Sequence, residues 1–152
     1  MERKRKHILL VTYPAYGLMI PLLEFARKLS TVHDVTFAVS AEMIEGMRKR
    51  ELILDGETIA FYAIPDGIST EHLSLLDGLK LVQPAVEKLI DALPHKDASR
   101  TTTESDMRPV DVVVADTYIL TAAKGCIAKA IPLYQFEAAA VSKKISITPY
   151  HP

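Results

Sequence analysis

Asp116 is the residue that most invites a chemical reading. It follows an apolar run, residues 110–115, that reads as a strand buried on both faces. Open parallel sheets bind ligands beyond the carboxyl ends of their strands, so a carboxylate placed there can meet a ligand. It can equally cap the segment that follows, because Asp accepts hydrogen bonds from the first free N–H groups of a helix. Residue type leaves both roles open. Two further segments fall on the same edge: residues 13–18, after Ile8-Leu9-Leu10-Val11, and residues 136–138, after Leu133-Tyr134-Gln135. Tyr16, Gly17, Leu18, Thr117, Tyr118, Phe136 and Glu137 are thus the candidate ligand contacts around Asp116.

Other chemistries find less support. A dinucleotide fingerprint needs closely spaced glycines for a tight turn and close approach of the pyrophosphate, and the loop after the first apolar run holds only Gly17. The Gly-Lys-Ser/Thr of a phosphate-binding loop is also absent. Histidines 7, 33, 72, 95 and 151 are scattered, with no second His or Cys at ligand spacing, so no metal site is expected. The single cysteine, Cys126, lies among Ala and Ile and reads as a small buried hydrophobe. With 18 basic and 19 acidic side chains, the chain lacks the basic excess of a nucleic-acid binder. The one local excess, Arg3-Lys4-Arg5-Lys6, reads as a frayed, solvated end.

The elements that must position these residues follow from periodicity. Leu22, Leu23, Ala26 and Leu29 recur at helical spacing, with Pro21 suited to a first helical turn. Residues 35–39 read as a second strand. Ser40 is placed to cap a helix carrying Met43, Ile44 and Met47. Residues 59–64 read as a third strand, turned by Pro65-Asp66-Gly67. Leu75, Leu79, Val82, Val86, Leu89 and Leu93 then form one apolar helical stripe, in which Pro84 predicts a kink or two abutting helices. Residues 95–109 are nearly devoid of apolar side chains at their centre and read as a mobile surface loop. After the strand ending at Asp116, residues 121–130 read as a short helix, and a fifth strand starts at Leu133. The tail, residues 145–152, has no usable period. The alternation of strands and helices predicts an α/β fold: a single Rossmann-like domain, a doubly wound parallel sheet with helices on both faces. One cysteine, no apolar run near the roughly 20 residues of a membrane span, and no signal-peptide core point to a cytoplasmic protein with no membrane partner.

Four of these segments together resemble family 1 UDP-glycosyltransferases. Residues 8–29, with Pro14-Ala15-Tyr16-Gly17-Leu18 and Pro21 ahead of a Leu/Ala helix, are similar to that family's opening strand, Pro-x-x-Gly-His-x-x-Pro turn and helix. Ile64-Pro65-Asp66-Gly67 is similar to its turn after the third strand. Val112-Val113-Val114-Ala115-Asp116 is similar to the strand ending in its second catalytic residue, and Ile131-Pro132-Leu133-Tyr134-Gln135-Phe136 to the strand that follows. The resemblance implies part of a GT-B architecture, in which an N-terminal domain binds a small hydroxylated, often apolar acceptor and a C-terminal domain binds the UDP-sugar. It also implies a His that takes the acceptor's proton and an Asp that orients that His, as in the His–Asp half of a hydrolase triad.

The sequence departs from that pattern twice. The family's His position holds Leu18, which cannot accept a proton, so Asp116 has no imidazole to orient. The 152 residues also contain no sugar-nucleotide domain, so no cofactor is expected in this chain and a UDP-sugar would need the missing C-terminal domain. The expectation is an acceptor-binding part that is not catalytically competent alone. Its partners would be a small hydroxylated or apolar ligand and either a donor-domain partner chain or a second copy. The alternative is a non-catalytic module for small apolar ligands, or an interaction subunit derived from the same fold.

Overall fold

A computed structural model describes residues 4–64, 73–94, 107–139 and 144–150. Six strands form one sheet in the order β3-β2-β1-β4-β5-β6. β1 (His7–Val11), β2 (Asp34–Val39), β3 (Ala60–Ala63), β4 (Val112–Asp116) and β5 (Leu133–Ala139) are parallel, and β6 (Lys144–Pro149) runs antiparallel to β5. The order reverses between β1 and β4, so the crevice at a switch point opens beyond Val11 and Asp116.

The apolar runs behave as strands covered on both sides. In β1, alternate residues point to opposite faces. Leu9 and Val11 join a core with α3 (Leu75–Asp91), whereas Ile8 and Leu10 join a second core with α1 (Tyr16–Leu29) and α2 (Ala41–Lys49). Leu9, Leu10 and Val11 have no exposure at all. The first core also takes Ala122, Ala123 and Cys126, from a 3₁₀ turn (Ala122–Lys124) running into α4 (Gly125–Ala128). Small side chains here let this short segment lie close against Ile90 of α3.

The helices differ from expectation where proline is concerned. Pro21 does not open α1. The helix begins five residues earlier, where Leu18 N–H and Met19 N–H donate to Ala15 O at 2.9 and 2.8 Å. Pro21 therefore lies inside it and leaves the Gly17 carbonyl without its usual donor. Gly17 is exposed, so that group faces solvent. Pro84 likewise sits within an unbroken α3, on the exposed side, where the lost bond is also open to water. Of the apolar stripe on α3, Val82, Val86, Leu89 and Leu93 are core, whereas Leu75 is 44% exposed. Ser40 caps α2 as its position predicts, accepting from Met43 N–H at 3.3 Å.

Two further segments correct the sequence reading. Residues 144–149 pair with β5 through Phe136↔Ile147 and neighbouring positions, so part of the aperiodic tail is a strand. It bears exposed Ser146, Thr148 and Pro149, and Pro149, with no N–H to donate, discourages further pairing at its end. Arg5 is not frayed: it donates to Asp34 Oδ1 at 3.1 Å and to the carbonyls of Ser30 and His33. Most of the segment read as a mobile loop lies outside the described residues, as does Pro65-Asp66-Gly67. Of the loop's described residues, Arg108 and Pro109 are exposed, whereas Met107 is buried beside Val110 in the first core.

Candidate ligand site at the carboxyl edge

Asp116 is 3% exposed, and both of its oxygens are engaged. Oδ2 accepts from the Thr12 hydroxyl and, at 2.5 Å, from Tyr13 N–H. Oδ1 accepts from Tyr118 N–H at 2.8 Å and Ile119 N–H at 3.2 Å. A carboxylate offers about four acceptor positions, and these four donors fill them. The residue thus joins the two readings left open by sequence. It caps the turn after β4, and it ties that turn to the end of β1 across the switch point. Burial raises its pKa above the ordinary 3.8, against the lowering effect of Thr12, Tyr13, Tyr118 and Ile119.

The Thr12–Tyr13 partnership was not foreseen. Its only trace in the sequence is a hydroxyl residue directly after an apolar strand, a pattern too common to single out. Tyr13 is itself 4% exposed, and its hydroxyl lies where a Cβ on Gly78 would stand. A side chain at position 78 and a tyrosine at position 13 therefore compete for one space between β1 and α3.

The segment that Asp116 fixes borders an open cleft of about 390 Å³, lined by Tyr13, Pro14, Ala15, Tyr16, Met43 and Leu75, with Leu73 at its rim. Tyr16 carries the Arg50 guanidinium over its ring, 4.0 Å from the centroid. The walls are apolar and aromatic, which suits a small molecule with an apolar body. Tyr118, 43% exposed, stacks at a tilt on Tyr13 with 6.3 Å between ring centroids. Thr117 is exposed, and its hydroxyl accepts from Gln135 Nε2 at 3.4 Å.

The remaining candidates are not gathered there. Phe136 is 2% exposed and packs on Phe25 in the second core, 5.6 Å between ring centroids, so its ring supports α1 rather than facing the cleft. It is the register partner of Asp116, and its ring points to the α1 side, where it packs on Phe25. Glu137 is exposed on β5 beside β6, opposite Ser146. Gly17 is exposed on the first turn of α1 with open space around its Cα. Leu18, on the same turn, is half-buried against the first core. The described histidines, His7 and His33, both lie at the amino edge of the sheet, the former in β1 and the latter just before β2. Among the described residues no group of three potential metal ligands occurs, and no helix is long and apolar enough to cross a membrane.

Comparison with known proteins places this geometry. No protein-family model and no curated protein sequence matches the chain. Solved structures do. UGT89C1 of Arabidopsis thaliana, complexed with UDP-L-rhamnose, is similar over 86% of this chain and 35% of its own, at 20% identity and a TM-score of 0.62. A UDP-glucosyltransferase from Polygonum tinctorium capable of glucosylating indoxyl is similar over 89% of this chain and 30% of its own, at 19% identity and a TM-score of 0.58. Phytolacca americana UGT2, complexed with UDP-2-fluoro-glucose and pterostilbene, is similar over 90% and 31%, at 18% identity and a TM-score of 0.54. The chain spans about a third of the length of these enzymes. Six strands with one switch point, helices on both faces and this likeness agree: the fold is Rossmann-like and matches part of the GT-B fold of these structures.

Proposed function

We propose that this chain is the acceptor-binding part of a UDP-glycosyltransferase fold, and that it holds a small hydroxylated or apolar molecule in the cleft beside Tyr13 and Tyr16 without transferring sugar to it. The observation that carries this reading is the state of Asp116. With all four acceptor positions taken by Thr12, Tyr13, Tyr118 and Ile119, the carboxylate shapes the cleft wall and has no lone pair to spare for a ligand proton. Leu18, at the position corresponding to the family's His, offers no base either. Binding needs only the apolar walls and the aromatic faces, which are present. Transfer would need a proton acceptor and a bound UDP-sugar, which in the family comes with a second domain.

The direct test is a titration of the folded chain with a series of apolar phenols, followed by amide chemical shifts. Saturable shifts at Ala15, Tyr16, Met43 and Leu75 are expected, and Tyr16→Ala should weaken binding about tenfold, the loss of one aromatic contact of about 1.4 kcal/mol. Absence of saturable binding would sink the proposal.

A second reading, an interaction subunit, draws on Leu75 and Leu76, which are 44% and 65% exposed on the first turn of α3. A second copy or a donor-domain chain covering them would bury that surface. A monomer at millimolar concentration, with Leu76 amide shifts independent of concentration, excludes the self-association form of it.

A further inference from the structure

The opposite end of the sheet holds a second cavity, of about 350 Å³, across the amino ends of β1, β2 and β3. Its walls include His7, Thr36, Thr58, Phe61, Tyr62 and Arg108. The cleft at the carboxyl edge shares none of these residues. Two observations define what this cavity offers a ligand.

The first is the direction of its hydroxyl hydrogens. His7 is 7% exposed; its Nδ1 lies 3.1 Å from Pro109 O and its Nε2 lies 2.7 Å from Thr36 Oγ1. A carbonyl can only accept, so Nδ1 carries the hydrogen. In the neutral ring Nε2 is then the acceptor, and the Thr36 hydroxyl donates to it. Thr58 donates its hydroxyl hydrogen to Ser30 Oγ at 2.8 Å, and Ser30 donates onward to Arg27 O at 2.8 Å. Both threonines have thus committed their hydrogens to the protein and keep oxygen lone pairs, so they receive a ligand donor.

The second is charge. Asp34 faces two guanidiniums, Arg5 at 3.1 Å and Arg108 at 3.2 Å, which leaves this trio with one net positive charge. Arg108 stands at the rim with its side chain 65% exposed and meets Asp34 through Nη2, one part of a five-donor fork suited to a carboxylate. Tyr62 lies on the first-core face of the sheet and contributes an aromatic ring to this wall, whereas the Phe61 ring packs on Phe37 on the other face.

We propose that this cavity is a second binding site, for a small aromatic acid that carries a hydroxyl or amino group. The ring lies against Tyr62, the carboxylate meets Arg108, and the O–H or N–H donates to Thr36 or Thr58. This site is independent of the reading given above for the carboxyl edge.

The probe is 4-hydroxybenzoate, titrated into the full chain and followed by amide chemical shifts. Saturable shifts are expected at Thr36, Thr58 and Ala60, with Ala15 and Tyr16 unmoved at the same concentration. Arg108→Gln, a change at an exposed side chain, should weaken binding at least fivefold. Benzoate, which lacks the donor, and phenol, which lacks the anion, should each bind at least threefold more weakly. Shifts confined to residues 13–18, no saturable shift anywhere, or equal affinity for the three probes and for Arg108→Gln would each overturn the proposal. Because the two ends of the sheet report through different amides, failure of one site reads separately from failure of the other.

Discussion

The Tyr13 N–H donates to Asp116 Oδ2 at 2.5 Å, joining residues 103 apart in sequence at the point where the sheet changes direction. Asp116→Asn breaks this arrangement while preserving shape. An amide offers one oxygen where four donors converge, and its NH₂ must face two of them. Leaving buried donors without acceptors costs about 1–3 kcal/mol each, so a loss of about 2–6 kcal/mol in unfolding free energy is expected, with the shifts largest at Thr12, Tyr13, Tyr118 and Ile119.

The titration of Asp116 carries a sign that can be checked. Burial raises its folded pKa above 3.8, so the folded state holds the proton more tightly than the unfolded chain. Stability from this group therefore rises as pH falls from neutral through the folded pKa towards 3.8, and is lost as pH rises again. Measured against Asp116→Asn, which has nothing to titrate there, wild type should gain stability across that window. A carboxyl carbon resonance with a midpoint at or below 3.8 contradicts it.

Gly78 and Tyr13 make a coupled pair. A methyl at position 78 would overlap the Tyr13 hydroxyl and lie 2.9 Å from its Cζ. Helix propensity favours Ala by about 1 kcal/mol, whereas overpacking of a rigid ring costs about 1–3 kcal/mol, so Gly78→Ala should destabilise by about 1 kcal/mol. In the Tyr13→Phe background the same change should cost less than half as much. Additive effects in that double-mutant cycle count against the shared space.

Cys126 is expected to be inert while the fold is intact. It has no exposure, and burial pushes its thiol up to about 11 from 9.0. Ellman's reagent at pH 8 should label it only at the rate of unfolding. The sign of the linkage is the same as for Asp116: the folded state keeps the proton, so this group's contribution to stability falls as pH rises from 9 to 11. Cys126→Ala should flatten the pH dependence in that range.

Leu18→His tests whether the missing base is the obstacle to chemistry. The chain carrying it, joined to a UDP-sugar-binding domain, should transfer sugar to a phenol about 10²–10⁴-fold faster than the same assembly with Leu18, the usual worth of a general base. Equal rates would show that the obstacle lies elsewhere.

How far the sequence was legible depended on which interactions are local. Strands covered on both sides announce themselves as unbroken apolar runs, and Ile8-Leu9-Leu10-Val11 and residues 112–115 lie where that reading put them. Ser40 was legible because a cap is a three-residue event. Pro21 misled because the cost of a proline depends on whether the freed carbonyl meets water, which is a property of the helix's surroundings. β6 was illegible because an edge strand of exposed Ser, Thr and Pro buries too little to leave a period. At the site, Asp116 was visible as a type in a place. Its four partners come from two chain segments a hundred residues apart, and no spacing encodes that.

The reversal at β6 also bears on how this chain can be joined to another. β5 ends at the carboxyl edge, but β6 returns along it, and Tyr150 N–H donates to Leu133 O at the far end. A domain attached after Tyr150 therefore starts on the wrong side of the molecule from the Tyr13–Tyr16 cleft. Six strand residues at about 3.3 Å each set a return distance of roughly 20 Å, so a fusion that is to face the cleft needs a tether of at least that reach, or must first peel β6 away from β5.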